Sequence, residues 1–233
     1  EVIRRLVYSK DGRFLAMGME KKGGIRIYRT SDYSVAGEDK DNGDAIYGAD
    51  FDGDGRLVTV SKDGFIRLYG SDFKLIMKKR APDGFRPARV RFSPNGSSIA
   101  VTFFDDTMLK GKLDVLSGKD LSHQYSPDIR GIAKGFFGLV CWSLDGKFFY
   151  AGKGPWVPFI IRKWKERGKG EYKDFAAAEH YLTDLLPLKD GGVAFSSAFP
   201  SFGIFDTNDK KIVDVSPPIA DYRWAPKEFL VSK

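Results

Sequence analysis

The chain has 233 residues, is 42% hydrophobic and carries a formal charge of +7, enough apolar content for a buried core. One cysteine excludes an internal disulfide and fits a reducing, cytoplasmic setting; with only two histidines beside it, no zinc-ligand spacing can be built. No apolar run is long enough to cross a bilayer, and no leader pattern opens the chain.

From the N-terminus onward, the chain reads as apolar strand runs punctuated by one recurring turn. Ser9-Lys10-Asp11-Gly12 leads into Phe14-Leu15-Ala16-Met17. Asp52-Gly53-Asp54-Gly55 joins Ala49-Asp50-Phe51 to Leu57-Val58-Thr59-Val60, and Ser93-Pro94-Asn95-Gly96 follows Val90-Arg91-Phe92. Ser143-Leu144-Asp145-Gly146 and Leu188-Lys189-Asp190-Gly191 complete the series, with steps of 43, 41, 50 and 45 residues between the final glycines. Asp-Gly and Asn-Gly accept positive φ and reverse the chain tightly between antiparallel strands. A period of this length predicts one four-stranded propeller blade per repeat. Helical periodicity is sparse. Ala176-Ala177-Ala178 could form a helical turn, whereas Tyr181-Leu182-Thr183-Asp184-Leu185 reads as an incoming strand.

Beyond the turn, Val60-Ser61-Lys62-Asp63-Gly64-Phe65-Ile66-Arg67-Leu68-Tyr69 resembles the second-to-third-strand segment of a WD-repeat blade, with Tyr69 in the usual tryptophan place. Gly24-Ile25-Arg26-Ile27-Tyr28, Leu113-Asp114, Trp164 and Phe205-Asp206 fill the matching places in the other copies. The Gly-His pair of the family is missing, and Asp63 alone holds the turn-aspartate position. The family's His–Asp–Ser–Trp tetrad therefore cannot form as a set, and the expectation is that apolar packing replaces it. The texture is similar to that of bacterial WD-repeat domains, which implies an all-β propeller, often joined to a caspase-like peptidase or another effector domain.

On this reading residues 1–233 are one propeller domain, with blades near 2–39, 44–80, 85–125, 130–175 and 180–215 and part of a sixth at 219–233. Unclosed strand edges invite aggregation, so the expectation is a fragment of a six- or seven-bladed ring.

The resemblance implies that partners dock on the face formed by inter-blade connections and the loops between second and third strands. Phe103-Phe104, Trp156 and Phe199 fall in such loops, bordered by Asp105, Asp106, Arg130 and Lys153. An exposed aromatic patch with Arg or Lys at its edge suits a protein or peptide partner, while rings folded back over a blade would only seal its core. Trp156 stands out because it sits in an insertion between Gly152 and Phe159.

Asp50, Asp52 and Asp54 match the opening of a calcium loop. Ser61 and Val58 stand where the EF-hand and integrin-type loops need further carboxylates, so no metal or other cofactor is expected. Cys141 with His123 or His180 could be counted as a nucleophile–base pair, but it lies in the apolar run Leu139-Val140-Cys141-Trp142, where burial is expected. The leading expectation is a non-catalytic binding scaffold or sensor within a larger protein. A polyanion or nucleic-acid surface made by the basic residues of 74–91 and 162–169 ranks second, because solvated outer strand faces explain the same charges. A propeller enzyme with a metal in its channel ranks third.

Overall fold

The computed structural model of the protein describes residues 2–41, 43–198 and 201–215. The first sheet contains β1 (Ile3–Tyr8), β2 (Phe14–Met19), β3 (Ile25–Arg29) and β4 (Val35–Asp39). The second contains β5 (Ile46–Phe51), β6 (Leu57–Ser61), β7 (Phe65–Tyr69) and β8 (Leu75–Arg80). The third contains β9 (Phe85–Phe92), β10 (Ser98–Asp105), β11 (Gly111–Ser117) and β12 (His123–Tyr125). Then come β13 (Phe136–Trp142), β14 (Phe149–Gly154), β15 (Phe159–Trp164) and β16 (Tyr172–Ala178), and finally β17 (Leu182–Pro187), β18 (Val193–Ser197), β19 (Ser201–Phe205) and β20 (Lys211–Val215). Each sheet is an antiparallel meander in sequence order, which makes the chain an all-β protein of the β-propeller class.

The recurring turn owes its shape to a short side-chain relay. Ser143 Oγ donates to Asp145 Oδ1 at 2.7 Å and accepts from Phe148 N at 2.9 Å. Ser9 with Asp11, and Ser93 with Asn95, repeat the pattern. Gly146, closing the turn, has φ +71°, a conformation that penalises any residue with a Cβ.

The described residues fall into two compact units. One is the chain up to Thr107 with Gly111–Tyr125; the other is Met108–Lys110 with the chain from Ser126. In the first, β1 packs beside β5 and β5 beside β9, so the sheets associate through their first strands. Ile25, Ile27, Phe51, Leu57 and Tyr69 fill the space between its first two sheets. Val58, Ile66, Leu68, Val90, Ile99 and Phe103 fill the next. In the second unit β13 packs beside β17, over a core that includes Cys141, Ile161, Leu185 and Phe195.

Two local expectations need correction. Leu57 pairs with Tyr69 and Phe149 with Trp164, and the equivalent strand-opening Ile99 pairs with Leu116, not Leu113. The long β10–β11 hairpin puts the Leu113-Asp114 pair farther from the turn than the family spacing implies. Ala176-Ala177-Ala178 is strand, because β16 pairs with β15 through Phe175 and Ala176. Cys141 is buried, as its apolar neighbours suggest.

Candidate functional site

Each unit contains a buried arginine that grips the connection entering its blade. Arg67 lies on β7 two residues before Tyr69, with a fully buried side chain. Its Nη2 donates to Asp63 Oδ2 at 2.6 Å and to Asp41 O at 2.7 Å, and its Nη1 donates to Ser61 Oγ at 2.8 Å. Ser61 in turn donates to Asp63, and Tyr69 Oη donates to Asp39 Oδ2 at 2.7 Å. Burial works against the Asp63 carboxylate, but hydrogen bonds from Arg67, Ser61 and Phe65 outweigh it and hold its pKa below the ordinary value. Arg162 occupies the matching place before Trp164. It donates to Asp174 at 2.6 and 2.8 Å and to the carbonyls of Asp128 and Arg130, and its guanidinium lies 3.8 Å from the centre of the Tyr172 ring. Trp164 Nε1 joins it on Asp128 O at 3.0 Å. A polar clamp thus supplements the apolar packing that the missing tetrad implies. An arginine two residues before the aromatic was a readable signal at Arg26, Arg67 and Arg162.

The second unit also carries the exposed rim. Trp156 lies between β14 and β15 and is 47% exposed, beside Val157 at 72%. It is held from two sides. Its Nε1 donates to Met108 O at 3.2 Å, and its own carbonyl accepts from Lys153 Nζ, which also donates to Pro158 O at 3.3 Å. Lys153 is almost fully buried, and that burial lowers its pKa. Gly135 N donates to Leu109 O at 2.9 Å, bringing the connection before β13 against the same cluster. Met108 and Leu109 are exposed apolar residues, so the rim is Met108, Leu109, Trp156 and Val157. Sequence reasoning missed Met108 and Leu109 because only the fold brings them to Trp156.

The other candidate residues are placed differently. Phe103 is 1% exposed and belongs to the core between the second and third sheets, so it seals a blade and offers no ring to solvent. Phe104 is half-buried against Tyr47, with ring centres 6.4 Å apart. Arg130 extends into solvent and pairs with Asp128 at 2.6 Å; its hydrogen bonds to Asp128 raise its pKa, and the Asp128 carboxyl is held at about 2. Phe199 lies outside the described residues, as does the predicted sixth blade at 219–233.

The calcium-like turn uses its carboxylates on the protein itself. Asp52 Oδ1 accepts from Asp54 N and Arg56 N, while Arg56 sits on Asp52 Oδ2 at 2.6 Å. Asp50 accepts from Phe92 N at 2.8 Å, tying the second sheet to the third. A guanidinium already stands where a cation would. Among the described residues no three His, Cys, Asp or Glu side chains converge as metal ligands. In the first unit, a polar cavity of about 450 Å³ opens between the β6–β7 loop and the β8–β9 connection. Asp63, Arg80, Asp83 and Arg86 are in its lining, and the Arg86–Asp106 pair at 2.8 Å spans part of the wall.

Among known proteins, the model of the WD domain, G-beta repeat family matches residues 36–70. That stretch takes β4 from the first sheet and β5, β6 and β7 from the second, so the sequence repeat is offset from the blade by one strand. No curated protein matches the sequence. Among solved structures, a chain of the structure titled "Crystal Structure of Mitotic Checkpoint Complex" aligns at TM-score 0.75 and 15% identity, over 93% of this chain and 67% of that one. The Myceliophteria thermophila Cps50 (Swd1) beta-propeller domain aligns at TM-score 0.73 and 15% identity, over 88% of this chain and 65% of that one. This chain therefore spans about two thirds of each. The family model thus marks one WD repeat at residues 36–70, and the structural likenesses show the β-propeller fold. Since 1365 solved chains share the fold, the likeness carries no partner with it.

Proposed function

We propose that the chain is a non-catalytic recognition module that binds a protein or peptide through the rim carrying the Trp156 loop. The observation behind this reading is an indole 47% exposed yet tethered at both its ring nitrogen and its carbonyl. A ring already held in place loses little freedom on binding, and tryptophan is over-represented among residues that dominate interfaces. The structural match to a chain from a complex is compatible with this reading and names no partner for this protein. The non-catalytic part rests on the placement of Cys141 inside β13, where no substrate reaches the thiol. Attachment to an effector domain in a longer polypeptide belongs to the same proposal.

The test is affinity capture on immobilised chain, comparing wild type with Trp156→Ala and with Tyr33→Ala, an aromatic 72% exposed elsewhere. Partner recovery should fall for Trp156→Ala alone. Equal recovery from all three rejects this rim as the docking surface.

A further inference from the structure

Beneath the Trp156 loop lies a cation with no acid to balance it among the described residues. The Lys153 ammonium, on a residue 2% exposed, donates to the neutral carbonyls of Trp156 and Pro158 and, among the described residues, to no carboxylate. Buried charges are ordinarily paired, because an uncompensated one keeps most of its desolvation cost. The three segments that meet here repeat the same sign. Met108–Lys110, residues 131–135 and residues 153–158 contribute Lys110, Lys134 and Lys153 and not one Asp or Glu, in a chain with 31 acidic residues. Lys134 is exposed and adjoins Gly135, whose N–H bonds Leu109 O. These segments therefore join an apolar centre to two lysines, the exposed Lys134 and the buried Lys153, and carry no acid of their own.

We propose that the segment seated on this rim is an acidic peptide with an apolar anchor, the anchor packing on Trp156 and Met108 while its carboxylates face Lys134 and the field of Lys153. The proposal rests on the reading of the rim as a docking surface. A neutral partner would cover the ammonium and deepen its desolvation; an acidic one compensates it while burying the same apolar area. A nucleic acid offers the charge but no aliphatic anchor for the Met108–Val157 surface.

Fluorescence anisotropy tests it with three short labelled peptides built on one central Leu-Phe pair. In the first the flanks are Asp and Glu, in the second Asn and Gln, and in the third Lys. A single-stranded oligothymidine is the fourth probe. The acidic peptide should bind roughly tenfold tighter than its amide analogue, with affinity falling as salt rises. Lys134→Glu should weaken the acidic peptide by roughly tenfold and leave the amide analogue unchanged. Equal binding of acidic and amide peptides, or an unaffected Lys134→Glu variant, overturns the acidic chemistry. If capture in the preceding assay still depends on Trp156, the docking surface survives that result. Oligothymidine binding that ignores Trp156→Ala, with no acidic-peptide binding at about 1 mM, overturns both readings in favour of a polyanion surface.

Discussion

Asp63→Asn removes the charge that balances a guanidinium with no access to water. The Arg67 side chain is 0% exposed and Asp63 15% exposed, and they meet at 2.6 and 3.2 Å. Removing one partner of a buried ion pair costs about 3–5 kcal/mol, because the other charge stays buried without its counter-charge. The slight exposure of Asp63 lets water repair part of the loss, so the expectation is near the low end, about 3 kcal/mol. With a urea m-value of about 2 kcal/mol/M, the midpoint should fall by about 1.5 M. Glu171→Gln is the control, since the Lys165–Glu171 pair is 64% and 86% exposed and should matter little. The pH dependence supplies a second check. Asp63 titrates below its ordinary 3.8 in the folded chain, so its contribution is present above the unfolded pKa and disappears as pH falls through the lower folded value. Variant and wild type should therefore converge in acid. A midpoint shift no larger than that of Glu171→Gln would refute the clamp.

Asp174→Asn should cost less than Asp63→Asn in the same denaturation, because Asp174 is 36% exposed and Arg162 keeps two carbonyls and the Tyr172 ring. Gly203→Ala should lower thermal stability by about 1–3 kcal/mol, since an added Cβ would lie 2.5 Å from Phe195 Cζ and 2.8 Å from Val213 O. Ser143→Ala should raise the Asp145 pKa from about 2 toward 3.8 in an NMR titration, because the Ser143 hydroxyl is the largest influence holding it down, ahead of the Lys147 amide. Asp11 and Asp120 are likewise held at about 2 by serine hydroxyls, and as these carboxyls and Asp145 protonate, stability should fall from about pH 4 downward. Trp156→Ala should change stability by about 1 kcal/mol or less while abolishing partner capture, a split that a merely structural tryptophan would not give.

The turns were legible because their chemistry is local. Ser-x-Asp-Gly contains its own hydrogen bonds, and Gly12, Gly55, Gly96, Gly146 and Gly191 all adopt positive φ. Strand number and sheet order follow from such turns without long-range information. The rim was legible only in part. Trp156 could be singled out from its proline-flanked insertion, but Phe103 looked equally loop-like, and only the β10 register, pairing it with Lys112 and Pro87, makes it a core residue. Met108 and Leu109 gave no local signal at all, Met108 lying 48 positions from the indole whose nitrogen it accepts from. The lysine beneath the loop was visible as a charge beside the insertion; its burial was not.

The arginine clamp shows why the fold tolerates a degenerate signature. Two residues before the aromatic place, the blades carry Arg26, Arg67, Asp114, Arg162 and Gly203. Arg67 and Arg162 hold an incoming connection, Arg26 reaches Tyr28 and Glu38, and Gly203 leaves room for Phe195. A position that accepts a cation, an anion or no side chain cannot dictate what the neighbouring loops carry. The family match at 36–70 falls where a turn aspartate, its serine and the aromatic all coincide, which is the stretch where the interior itself is most demanding. The Lys153–Trp156 arrangement has no counterpart in that interior logic. Lys153 could be replaced there by an apolar residue without breaking a strand pair, since Phe137, its partner in the register, is bonded through the backbone alone. Its cost is local, and what it holds in return is the Trp156 loop, through the carbonyls of Trp156 and Pro158.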